Sequence, residues 1–188
     1  MKRQWGWFAL LVTAAFALSN SRVLAAPPPA PWPQIPQMQS YTTYLSGYQV
    51  VPPNFTTGHG MVKLWINSNQ TSISYSMSYS GLSSDVIQAH IHFGQEPVNG
   101  GIIVYLCDNT ETAPGGTPAC PNSGTVTGTV TAADVNPAGS PAPVTSQGIA
   151  AGEFAGLIGA IEHNDAYVNV HTDDFPNGEI AGWLRPGY

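Results

Sequence analysis

Two runs in the first half of the chain constrain its fold more than any other feature. In "GMVKLWIN" (60–67) and "SISYSMSYS" (72–80) polar and apolar residues alternate, and the intervening "SNQT" is turn-forming. A period of two sends successive side chains to opposite faces of a strand, so the pair reads as a hairpin with one face in a core and the other in water. The same habit recurs along the chain. "YTTYLSGYQV" (41–50) comes before, and "VIQAHIHFG" (86–94), "GIIVYLC" (101–107), "GTVTGTVT" (124–131), "AYVNVHT" (166–172) and "GEIAGWL" (178–184) come after, each bounded by turn residues.

One segment departs from that period. In "AGEFAGLIGAIEHN" (151–164) the apolar residues Phe154, Leu157, Ile158 and Ile161 recur at helical spacing, which predicts a short amphipathic helix despite three glycines. The expected class is therefore all-β: an antiparallel Greek-key sandwich or barrel with one short helix before the last two strands. Twenty glycines, 17 prolines and only 9% charged residues among 188 fit many short strands and turns.

The first residues belong to a different category. Lys2 and Arg3 precede the apolar run "WGWFALLVTAAFAL", and "VLAA" supplies small residues for cleavage near Ala25 or Ala26. The expectation is a signal peptide over 1–26 and a periplasmic or secreted product; the apolar run is shorter than the roughly 20 residues of a spanning helix, so no membrane insertion is expected after cleavage. The proline-rich "APPPAPWPQIPQ" cannot supply a strand's hydrogen bonds, and it predicts a linker over 27–40 before a domain at 41–188. Cleavage leaves only Lys63 and Arg185 against eleven acidic residues, a formal charge of −9 with neutral His. Nucleic acid and anionic membrane surfaces are poor partners for such a chain.

Cys107 and Cys120 are the only cysteines. In an exported chain an even count predicts a disulfide, here a clip across the loop "DNTETAPGGTPA" rather than a zinc thiolate site or redox pair.

The histidines carry the chemistry. His90 and His92 in "AHIHFG" share one strand face while Ala89 and Ile91 take the other. In "YVNVHT" Val168 and Val170 alternate with Tyr167, Asn169 and His171, so a core facing the valines likewise sends His171 to the opposite face. If these strands lie close in one sheet, His90, His92 and His171 converge outside the apolar core. A fourth ligand is expected from His163, at the end of the helix, with His59 between its two glycines as the rival.

Taken in order, "LSGYQVVPP" (45–53), "AHIHFG" (89–94), "NGGIIVYLC" (99–107), "YVNVHT" (167–172) and "NGEIAGWL" (177–184) resemble the CHRD domain, named for chordin and widespread in bacterial secreted proteins. The resemblance implies an extracytoplasmic β fold. It has two departures: family members usually carry an acidic residue where this chain has Val50, and commonly an arginine where it has Ala181. "AHIHFG" alone is also similar to the His-x-His copper strand of copper-zinc superoxide dismutases, although their zinc loop has no counterpart here.

Neutral imidazoles on rigid strands suit copper, zinc or iron, and the Irving–Williams order puts copper first. Two function classes are consistent with this. One is a metalloprotein using copper for storage, transfer or redox chemistry such as superoxide dismutation. The other is a metal-free extracellular interaction or adhesion module whose histidines bond to Asn169, Thr172 and Glu179. Other chemistries find less support. No serine sits in a nucleophile elbow, and Asp173, Asp174 and Glu179 have no calcium-loop spacing.

Overall fold

The computed structural model describes residues 38–187 apart from 139, 141 and 142, so the expected signal segment and residues 27–37 of the expected linker lie outside the described residues. The strands are β1 (Gln39–Ser46), β2 (His59–Ile66), β3 (Ile73–Ser80), β4 (Val86–Phe93), β5 (Gly101–Asp108), β6 (Gly124–Val130), β7 (Ala166–Thr172), β8 (Ile180–Trp183) and the short β9 (Arg185–Pro186). Helix α1 spans Phe154–Glu162, before the last strands as its period predicts.

All nine strands join one antiparallel sheet in the order β5-β4-β7-β8-β1-β2-β3-β6, with β9 added to β1. The sheet curls into a nearly closed barrel, which selects the barrel over the two-sheet sandwich. Tyr75 on β3 reaches across the seam to donate its hydroxyl to the Leu106 carbonyl on β5. The link from β3 to β4 therefore bypasses the positions of β5 and β6, a Greek-key connection.

The alternation read from the sequence sets the wall. Val62, Leu64 and Ile66 of β2 and Ile73, Tyr75, Met77 and Tyr79 of β3 point into the core, in a continuous register from His59↔Ser80 to Ile66↔Ile73. Leu157 and Ile161 of α1 are fully buried in the same core, with Phe154, Ile158 and Ala160 beside them.

The neighbourhood of His90 and His92 is shaped by the pairing of β4 with β5 and by the loops beyond β5. The β4–β5 pairing shifts register between Ala89 and His90 and again between Ile91 and His92. Such bulges twist a strand locally and re-aim its side chains. The outer edge of β5 is occupied by loops: Gly101 N–H donates to Gln147 Oε1, Asn136 N–H to the Ile103 carbonyl, and Asp108 N–H to the Pro118 carbonyl. Cys107 and Cys120 are disulfide-bonded with Cα atoms 5.1 Å apart. Closing a loop of this length stabilises the fold by about 3 kcal/mol in the chain-entropy model.

Candidate metal centre

β4 and β7 are neighbours, with Gln88↔His171, His90↔Asn169 and His92↔Tyr167 opposed. Ala89, Ile91, Val168 and Val170 face the core, so the other faces of the two strands bring His90, His92, Asn169 and His171 together. One nitrogen from each of the three imidazoles lies within 4.8 Å of the other two. The cluster forms one wall of a cavity of about 420 Å³, whose rim includes Val51, Pro52, Asn99 and Pro176. His90 and His92 are only 1% and 6% exposed.

Hydrogen bonds orient the rings. His92 Nδ1 donates to the Gly100 carbonyl at 2.9 Å, and His171 Nδ1 donates to the Pro176 carbonyl at 2.9 Å. A neutral imidazole has one N–H, so each Nε2 presents a lone pair. His92 Nε2 and His171 Nε2 lie 3.0 and 2.9 Å from Asn169 Oδ1, and His90 Nδ1 lies 3.2 Å from His171 Nε2. With the amide in this orientation, acceptors face acceptors. His90 Nε2 is buried without a hydrogen-bond partner. A cation among those nitrogens relieves the opposition of lone pairs; turning the Asn169 amide over, so that Nδ2 donates to both rings, relieves it without one.

Supporting contacts come from residues that are not ligands. The Tyr167 ring stacks on His92 with centroids 4.8 Å apart and 10° between planes, and its hydroxyl accepts from Gly100 N–H. Gly100 is thus held through both its N–H and its carbonyl. A Cβ there would overlap the Phe93 carbonyl, so only glycine fits. The Tyr105 ring stands edge-on to His90 at 4.5 Å.

Burial keeps all three rings neutral. Desolvation, then His171 and His92, holds His90 well below the ordinary value of 6.5; desolvation brings His92 down to about 4; and desolvation lowers His171 against the opposing Pro176 bond. In the unfolded chain His92 takes its proton near 6.5, so between pH 6.5 and about 4 the unfolded state binds the additional proton and gains stability. Metal-free protein should therefore lose about 3 kcal/mol of stability from His92 alone as pH falls across that window. Urea titrations at successive pH values measure it, and His92→Gln should flatten the slope.

The two residues considered for a fourth ligand lie elsewhere. His163 sits just past α1, exposed, with Nδ1 donating to the Gly159 carbonyl; it lines a separate cavity. His59, also exposed at the start of β2, contacts the Thr57 carbonyl and Ser80 Oγ. Asn169 Oδ1 is the fourth inward-facing atom instead. Thr172 and Glu179 form a network of their own: the fully buried Glu179 carboxylate accepts from Thr172 Oγ1, Thr56 Oγ1, and the backbone N–H and hydroxyl of Ser83. Gly100, Pro176 and the Tyr167 stack are supports that the sequence pattern did not mark. Tyr167 was findable, since strand alternation places it on the histidine face.

An all-β barrel bearing three outward-facing imidazoles on adjacent strands, two buried and one half-buried, is the class that fold and site define. The chain belongs to the CHRD domain family, whose sequence model matches residues 41–184. No curated protein matches it.

Proposed function

We propose that this CHRD domain is an exported metalloprotein that holds one transition-metal ion, copper before zinc or iron, through His90 Nδ1, His92 Nε2 and His171 Nε2. The observation that carries the reading is the set of converging lone pairs: two rings have their other nitrogen committed to a backbone carbonyl, the arrangement that fixes tautomer and aim in metal sites. Asn169 Oδ1 is the remaining inward donor. Once bound, copper supplies one-electron redox chemistry, while the cavity leaves room for a small ligand.

Storage, transfer or slow redox chemistry suits this chain better than fast superoxide dismutation. Rapid dismutation needs a positive field beside the metal. Arg185, the nearest candidate in the sequence, instead pairs with Glu96 at 2.8 Å and donates to the Asn164 carbonyl. Position 181, opposite Asn169 across β7 and β8, is alanine where relatives commonly carry arginine.

Metal analysis of protein recovered from its own compartment tests the proposal, with about one copper per chain expected. A metal-free protein that also fails to take Cu(II) from a modest chelator overturns it and leaves the interaction module, in which the turned Asn169 amide satisfies the histidines.

A further inference from the structure

A row of aromatic rings leaves the histidine cluster through the sheet. His92 on β4 is opposite Tyr167 on β7, and Tyr167 is opposite Trp183 on β8, so the three side chains lie side by side on one face. Ring centroids are 4.8 Å apart from His92 to Tyr167 and 5.2 Å apart from Tyr167 to Trp183. Trp183 Nε1 donates to the Gly94 carbonyl, which fixes the indole. The row ends in a second cavity.

That cavity, about 850 Å³, is a groove over β1, β2 and β9. Trp183 lines it with Tyr44, Met61 and Trp65. Tyr44 is 72% exposed, so one face of its ring is open to a ligand in the groove. Lys63 and Arg185, the only Lys or Arg among the described residues, also line the groove, and Glu96, which lines it too, pairs with Arg185. With Arg185 held by Glu96, the Lys63 ammonium beside the rings of Tyr44, Trp65 and Trp183 selects a planar aromatic ligand bearing a phenolic oxygen.

We infer that this groove docks a phenolic one-electron reductant and that Trp183 and Tyr167 couple it electronically to the metal held by His92. This rests on the metal reading proposed for the histidine cluster. The donor would lose one electron and one phenolic proton; a Cu(II) ion held by His90, His92 and His171 would accept the electron, and the proton would leave to water at the open mouth of the groove. Lys63 steadies the phenolic oxygen as its proton departs. Neither ring is itself oxidised.

Hydroquinone is the probe. In metal-free protein it should shift the Trp183 Nε1–H resonance, and Tyr44→Ala or Lys63→Gln should weaken that response. In copper-loaded protein the disappearance of the Cu(II) signal should saturate with hydroquinone concentration. Trp183→Leu should slow the saturated rate at least about tenfold while leaving the Cu(II) resonance spectrum unchanged. Tyr44→Ala, at an exposed position that folding tolerates, should raise the half-saturating concentration and leave the spectrum intact. A rate linear in hydroquinone and indifferent to Trp183→Leu and Tyr44→Ala, or an unmoved Trp183 resonance, overturns the inference with the metal site intact. Failure to bind copper at all overturns the metal reading, and the electron route with it.

Discussion

Replacing His92 with alanine should lower copper affinity by more than the roughly 10–100-fold that loss of an outer-shell partner costs in metal sites, because a ligand is removed. His90→Ala should do the same. The apolar side of β4 is unchanged by either substitution, since Ala89 and Ile91 point the other way, so the barrel should persist. Competition against a chelator of known strength reads the affinity, and circular dichroism reads the fold. His163→Ala and His59→Ala are the controls, and each should leave affinity unchanged because both rings are bonded elsewhere on the surface. Equal losses for all four histidine variants would place the metal outside the cluster.

Glu179→Ala should be the most destabilising single substitution near the site. The carboxylate accepts from Thr56, Ser83 and Thr172, and its own N–H is bonded to the Val170 carbonyl. It thereby ties the loops before β2 and β4 to the turn between β7 and β8. Without it, the buried Thr172 hydroxyl and the part-buried Thr56 and Ser83 bonds lose their acceptor, at a cost of about 3 kcal/mol. For a domain of this size that corresponds to a melting temperature lowered by roughly 10 °C. Glu179→Gln retains shape and one acceptor, and should lose less. Because Pro176, the acceptor for His171, lies within the same turn, Glu179→Ala should also weaken metal binding modestly. A melting temperature within a degree or two of the parent would show that the network contributes little.

Period-two patterns made most of the barrel legible. β2, β3 and β7 begin and end within a residue of their apolar alternation, and α1 falls inside the segment whose spacing marked it. His90, His92 and His171 were legible for the same reason, since their inversion relative to Ile91 and Val170 shows in one dimension. Less was legible wherever a contact depends on loops closing over the sheet. The carbonyls of Gly100 and Pro176 carry no side-chain signature, and the two bulges in β4–β5 leave no composition mark. Asn169 was recognisable as a histidine partner, but not as the inward-facing fourth atom. His163 and His59 looked suitable because they neighbour flexible or terminal positions, whereas the paths of α1 and β2 place both rings elsewhere.

The covered edge of β5 has a consequence for how copies of this domain treat one another. An outermost strand with vacant amides and carbonyls is a template on which a foreign strand can grow, the first step towards fibrils or swapped dimers. Here Gln147, Asn136, Tyr75 and the Pro118 carbonyl already occupy positions along that strand, and the Cys107–Cys120 bond anchors the loop that brings Pro118 there. The strand that lies beside the histidines is therefore closed to recruitment. At this end of the strand order, the loops leave a neighbouring copy no free ladder beside the histidine cavity.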